Sequence, residues 1–397
     1  MTRTLLTREE ALDRVLAACA PLSPEVVPLA QLLGRFAAED VAAAVDLPPF
    51  PSSAMDGFAL RAADTPGRLP VVARVAAGAP ADRALRAGEA MGIATGGVVP
   101  DGADAVIPLE YVVENDNEIE IAEPVAVGDN VRPRGGDVQS GAVVVERGVR
   151  FGAGQVGAAA AAGVAQVACA RRPRVAVLTT GTELRSPGTP LGPGEIYEAN
   201  GVLLEAALSS VADVECLPPV ADDESAHRAA LARGLESDVL VTSGGVSVGP
   251  HDLVRRILGE LEVEEVFWGV AVKPGKPLAF GVRGATLVFG LPGNPVSTFV
   301  SSELFVRPAL LALQGAITPG PTFSVGRLAR AVRRNGQRDE LLRARTRSSE
   351  DGVTLEPVTG QESHMIAAAA SADALVLAPR GDGELAAGEA VRYLPLA

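Results

Sequence analysis

Four apolar runs between residues 174 and 291, each ending in a turn of glycine or acid, constrain this chain most. RVAVLTT runs into Gly-Thr-Glu at Glu183, VADVECL leads to Ala-Asp-Asp-Glu at Asp223, DVLVTS meets GGVSVGPHD, and TLVFG meets LPGNPVS. An unbroken apolar run is the pattern of a strand buried on both faces. Helical periodicity at 200–209, 224–235 and 252–261 separates the runs, and a long helix over 296–313 follows them. Strand and helix in alternation predict βαβ units, hence a parallel sheet covered by helices on both faces. In such sheets ligands bind beyond the carboxyl ends of the strands, where these turns fall.

The flanks read differently. Residues 7–20 open with Thr7 and Glu10 in capping-box spacing and continue at helical period. A short helix at 29–35 and a strand at 41–45 follow. From 58 to 132, short alternating runs broken by Gly and Pro predict a small β-rich domain. Residues 152–163 read as a helix that returns the chain to its N-terminal region. The most lipid-like stretch, 151–170, reads as packed soluble helix because Gln155 and Gln166 interrupt it. Beyond Pro319, strand-like segments with turns at Asn335-Gly336 and Asp351-Gly352 predict a C-terminal β domain. The expected fold class is α/β plus β in a multidomain chain. Residues 1–46 with 136–170 form a helical/mixed N-terminal domain, 47–135 a β-rich insertion, 171–316 the central α/β domain and 317–397 the C-terminal β domain.

Acids outnumber bases 49 to 35, a formal charge of −14, which argues against nucleic acid and anionic membrane as partners. The charged N-terminus has no signal-peptide core, and three widely spaced cysteines exclude a disulfide framework or structural zinc, so a cytoplasmic globular protein is expected. Among 35 basic residues only two are lysines, Lys273 and Lys276, both in VKPGKP. In so Arg-rich a chain, this pair marks a place that needs a compact ammonium rather than a planar fork.

The turns carry usable chemistry. Pro295 suits the first position of a helix, whose free N–H groups and positive dipole end favour an anion. GGVSVG, with Ser247, lets backbone amides approach a phosphate closely. Glu183, Asp223 and Asp252 would repel that anion unless a cation such as Mg²⁺ lies between them; helix capping is the other use for Asp252. GVSVG also matches a hydrolase nucleophile elbow, with Asp339 or Asp351 and His364 completing a formal triad. Ser247 falls several residues past its strand, however, and no HGGG-like segment accompanies it. His227 and His251 read as surface histidines. Asp56 lies on an Asp-Gly turn in SSAMDG, Asp137 follows Arg132 and Arg134 in VRPRGGD, and Arg343, Arg345 and Arg347 share one face of a strand.

With these segments assembled, the chain resembles the molybdopterin molybdenumtransferase family, whose vertebrate relative is the C-terminal domain of gephyrin. SAMDGFAL, ATGGVVPDGADAVI, NVRPRGGD, RPRVAVLTTGTEL, IYEANG, SGGVSVGPHD, VKPGKPLAFG and GLPGNPVS occur in the family's order. Gly136 stands where the family usually has Glu, Thr182 where Asp is common and His251 where Tyr is common. The resemblance implies an elongated four-domain subunit with a central molybdopterin-binding domain, and a homodimer with its cleft between subunits. It implies insertion of molybdate into adenylylated molybdopterin, with AMP released and Mg²⁺ assisting. Asp56, Asp137, Glu183, Asp223 and Asp252 become the acidic catalytic set, with Glu183, Asp223 and Asp252 on the metal. Lys273, Lys276, Ser247, Asn294, Ser297, Arg343 and Ser363 become substrate ligands. Transient contacts with molybdopterin adenylyltransferase and with molybdoenzyme apoproteins are also implied. Two alternatives stay open: an adenylyltransferase-like enzyme, and a non-catalytic gephyrin-like scaffold.

Overall fold

The apolar runs assemble into one six-stranded sheet in a computed structural model that describes residues 4–220, 223–245 and 253–396. Across the sheet lie Asp213–Cys216, Arg174–Thr179, Val239–Ser243, Thr286–Leu291, Ala279–Arg283 and Glu264–Trp268. The first four are mutually parallel; the fifth, Ala279–Arg283, runs antiparallel to both of its neighbours. The sheet is therefore mixed rather than wholly parallel. Only Gly284 and Ala285 separate Arg283 from Thr286, with Gly284 at φ +58°, a connection too short for anything but a hairpin.

Side-chain alternation sorts the buried strands between two cores. Val175, Val177, Val241 and Phe289 face the helices Asn200–Leu208, Arg8–Ala17 and the continuous helix Pro295–Leu313. Ala176, Leu178, Leu240 and Val288 face the helices Glu224–Gly234 and Leu253–Glu260. The helix Pro295–Leu313 is long and apolar enough to cross a membrane, yet most of it is buried within the protein. It is the lipid-like segment here, whereas 151–170 divides into the helix Ala153–Ala161 and the strand Gln166–Ala170. That strand pairs antiparallel with Pro24–Pro28, a long-range partner that local periodicity does not reveal. Thr7 and Glu10 close the predicted capping box. The expected helix at 29–35 shrinks to a single 3₁₀ turn, Leu29–Gln31, and the strand at 41–45 to Val41–Ala42.

Residues 57–121 form a second six-stranded sheet, and the C-terminal strands form a third. In the latter, Asp339–Ser349 pairs with both Gly352–Pro357 and Ala374–Ala378, so five strands close on themselves. Val272–Lys273, leaving the central region, adds to Asp339–Glu340 in parallel and fastens this barrel to the central sheet.

Candidate functional site

Thr179, Ser243 and Leu291 stand in register at the carboxyl edge of three parallel strands. From Arg174–Thr179 the chain turns first to a neighbour on one side, Asp213–Cys216, and then to one on the other, Val239–Ser243. That reversal opens a crevice at the strand ends, the usual ligand position in such sheets. Gly244 and Gly245 leave Ser243 at φ +95° and +64°, and a Cβ on them would meet the Thr180 carbonyl oxygen at 2.8 Å and Val254 Cγ2 at 2.6 Å. Neither position admits a side chain without rebuilding the edge. Asn200, at the start of its helix, donates from Nδ2 to Ser243 Oγ (2.9 Å) and to the Gly293 carbonyl (2.7 Å), tying the Gly-Gly turn to the LPGN turn.

The lysine loop docks against the helix that LPGNPVS opens. Gly275, at φ +111°, lies so close to it that a Cβ there would come within 2.7 Å of Ser301 Oγ. Lys273 Nζ pairs with Glu340 Oε1 at 2.9 Å, and Glu340 is otherwise buried. Lys276 is exposed, and its ammonium has no hydrogen-bond or ion-pair partner among the described residues. Ser297 is buried in the first turn of the same helix.

The C-terminal barrel supplies the other wall. Asn294 Nδ2 donates to Ser363 Oγ at 2.9 Å, and the Val296 N–H donates to the Ser363 carbonyl at 3.1 Å. One of the helix donors expected to face an anion is therefore already taken. Arg343 is 1% exposed rather than surface-facing. Its guanidinium donates to the carbonyls of Met365 (2.7 Å), Gly360 (2.7 Å) and Glu362 (3.2 Å), so it shapes the loop that carries Ser363. Arg345 and Arg347 share its strand face but lie exposed where the strand runs on past that loop.

Glu183 and Asp223 follow adjacent strand ends, joined by the Gly181 N–H donating to the Val220 carbonyl at 3.1 Å. Both are exposed. Asp223 caps the helix Glu224–Gly234: its Oδ1 accepts from the Ala226 N–H (2.7 Å) and Ser225 Oγ (2.9 Å). Those bonds, the amide's first, hold its carboxyl below the usual range. Ser247, His251 and Asp252 lie outside the described residues. Among the described residues no three His, Cys, Asp or Glu side chains form a ready metal cluster. His227 is buried rather than on the surface, its Nδ1 donating to the Asp223 carbonyl at 2.9 Å.

The two N-terminal acidic motifs sit side by side, because Ser52–Ser53 pairs with Val131–Arg132 and the Asp137 N–H donates to the Leu47 carbonyl. Asp56 Oδ1 accepts from the Thr95 N–H (2.6 Å) and Oγ1 (3.0 Å), the amide first among the causes of its lowered pKa. Gly57 opens a strand instead of completing a tight turn; a Cβ there would overlap the Ile107 carbonyl oxygen. Sequence reasoning passed over Asn200, Glu340 and Asp46, which binds the Arg134 Nε at 2.6 Å and the Ser140 N–H at 2.9 Å. Asn200 stood in the quoted IYEANG; nothing local distinguished the other two.

Three family models tile the chain: MoeA N-terminal region (domain I and II) over residues 6–163, Probable molybdopterin binding domain over 176–312, and MoeA C-terminal region (domain IV) over 325–396. The chain belongs to the MoeA family. Similar MoeA-family relatives include the molybdopterin molybdenumtransferase of Haemophilus influenzae, 34% identical over 403 residues and covering 98% of each chain. Molybdopterin molybdenumtransferase 2 of Mycobacterium tuberculosis is 38% identical over 331 residues, 80% of this chain and 81% of the relative. A crystal structure of a molybdopterin biosynthesis MoeA protein from Pyrococcus horikoshii superposes with TM-score 0.86 at 28% identity, covering 99% of this chain and 100% of the other. In MoeA terms the candidate residues draw on all three regions: Asp56 and Asp137 on the first, the lysines and Asn294 on the second, Arg343 and Ser363 on the third.

Proposed function

We propose that this MoeA-family chain works in molybdenum cofactor biosynthesis, inserting molybdate into adenylylated molybdopterin and releasing AMP. The observation that carries the reading is the exposed Lys276 ammonium, without a partner among the described residues, on a loop whose Gly275 packs against the helix that carries Ser297, while Ser363 is bonded to Asn294 at the start of that helix. A compact ammonium beside hydroxyls suits a tetrahedral dianion such as molybdate. Lys273, held by Glu340, adds a second cation, while Arg343 fixes the Ser363 loop from behind. Glu183 and Asp223 supply hard oxygens on adjacent loops. That fits Mg²⁺, which commonly takes one or two carboxylates plus substrate phosphates rather than an all-protein cage. Mg²⁺ held by these carboxylates would neutralise charge on the pyrophosphate; Asp252, outside the described residues, is the third carboxylate that the proposal assigns to it.

The same reading makes the protein a cytoplasmic homodimer that meets molybdopterin adenylyltransferase and molybdoenzyme apoproteins transiently. An adenylyltransferase would leave the regions at 6–163 and 325–396 without a role, and a scaffold would not need the lysines and acids. Incubation with adenylylated molybdopterin and molybdate, with and without Mg²⁺, tests the proposal. AMP release together with active cofactor is the expected result, and neither product at any Mg²⁺ concentration would refute it.

A further inference from the structure

A crevice of about 510 Å³ opens where the three family regions meet. Arg150 lines it from the N-terminal region, the helix Pro295–Leu313 from the central one, and residues 318–322 and 394–396 from the linker and the last strand. The volume falls within the ~300–1,000 Å³ that engulfs a whole small ligand. Phe299, Pro308, Leu311, Pro319 and Leu394 make much of the lining apolar. Over Ser302–Val306 the helix loosens into a single π turn, a feature that recurs at functional sites, and Glu303 belongs to that turn.

Glu303 is the carboxylate of this lining, and its side chain is only 11% exposed. Its Oε2 accepts from Arg307 Nε at 2.9 Å, while its Oε1 accepts no hydrogen bond among the described residues. The other two nitrogens of Arg307 are turned elsewhere: Nη1 donates to Ser210 Oγ at 3.3 Å and Nη2 to the Ala207 carbonyl. Burial pushes the Glu303 pKa up against the opposing pull of Arg307. A half-satisfied carboxylate in an apolar crevice gains from a cation that arrives with a ligand. One free oxygen gives a bidentate guanidinium fork no second partner, whereas it suits a compact ammonium. Arg150, the remaining charge in the lining, is exposed, so water screens it. We propose that this crevice is a second binding site, taking a small primary amine whose ammonium sits at Glu303 Oε1 and whose apolar body packs on Phe299 and Leu311. The site stands apart from the lysine loop, and the inference does not depend on the insertase reading.

Hexylamine, 1-hexanol and hexanoate share one body and differ in head group. Each is titrated into the intact protein by calorimetry and ligand-observed NMR at neutral pH, where an alkylammonium (pKa about 10.4) is fully charged. Hexylamine should bind about tenfold tighter than 1-hexanol, because a hydrogen bond between charged partners is the stronger one, and hexanoate should bind no better than 1-hexanol. Glu303→Gln keeps the side chain's shape and an acceptor for Arg307, and should bring hexylamine to within about twofold of 1-hexanol. Ala206→Trp, at an exposed helix position of the lining, should weaken hexylamine about fivefold or more by filling the crevice. That variant keeps the test decisive should Glu303→Gln fail to fold. Equal affinity for hexylamine and 1-hexanol, a preference that survives Glu303→Gln, or unchanged affinity in Ala206→Trp would each overturn the site. Tightest binding by hexanoate would also overturn it, assigning the crevice to Arg150 instead, and so would the absence of any hexylamine binding.

Discussion

Lys273 and Lys276 share a loop but not a situation. Removing Lys273 would leave the buried Glu340 carboxylate unpaired, so its loss mixes binding with stability. Lys276 has no such partner among the described residues and tests the oxyanion role cleanly. Lys276→Ala should weaken molybdate binding by tenfold or more in equilibrium dialysis, with a stability change within about 0.5 kcal/mol. Lys276→Arg should restore only part of it, because a planar fork does not replace a compact ammonium. Full binding by the Arg variant would break the argument from lysine scarcity. That scarcity was legible because an Arg-rich background makes each lysine informative. The burial of Arg343 was not legible: alternation assigns a strand face, while the carbonyls that take its guanidinium arrive 17 to 22 residues later. His227 is a different failure, since it shares a helix face with the buried Leu231 and Gly234, a periodicity the sequence displays.

At the scale of elements, local chemistry was readable and long-range pairing was not. The Thr7 capping box closes over three residues and needs no tertiary partner. The strand Gln166–Ala170 exists only through Pro24–Pro28, so its small-residue text passed for helix. Asp223 separates capping from catalysis, because Asn caps a helix about as well as Asp. Asp223→Asn should leave the melting temperature within a degree or two yet reduce AMP release and its Mg²⁺ dependence. Asp223→Ala should add a stability loss of ~1 kcal/mol. Equal activity of Asp223→Asn and wild type would leave the residue a cap alone. Asp238 anchors the start of the central strands: Arg171 grips both its oxygens at 2.6 Å, and the Arg174 N–H adds a third bond at 2.8 Å. Burial pushes its pKa up, but those donors outweigh it and hold the carboxyl below its ordinary value. A lowered carboxylate pKa contributes stability that is full above the unfolded value, about 3.9, and is lost as pH falls through the folded one. The melting-temperature deficit of Asp238→Asn should therefore be constant from pH 7 to pH 5 and shrink below pH 4. A deficit that persists unchanged at pH 3 would contradict this.

For the whole molecule, the question is how two groups of candidate residues combine. Among the described residues no hydrogen bond or ion pair links 47–135, which carries Asp56, to 171–396, which carries the lysines. If one active site needs both groups, a twofold dimer supplies them by pairing the Asp56 of one subunit with the Lys276 of the other. Co-refolding an inactive Asp56→Asn protein with an inactive Lys276→Ala protein tests this arrangement. In a mixed dimer one site then receives both lesions and the other none. Random exchange makes about half the dimers mixed, each with one intact site of two, so activity should recover to about a quarter of wild type. A site built within a single chain would carry one lesion in every copy, and mixing would restore nothing. The absence of recovery, with mixed dimers verified by mass, therefore rules out the shared site and requires Asp56 to act within its own subunit or not at all.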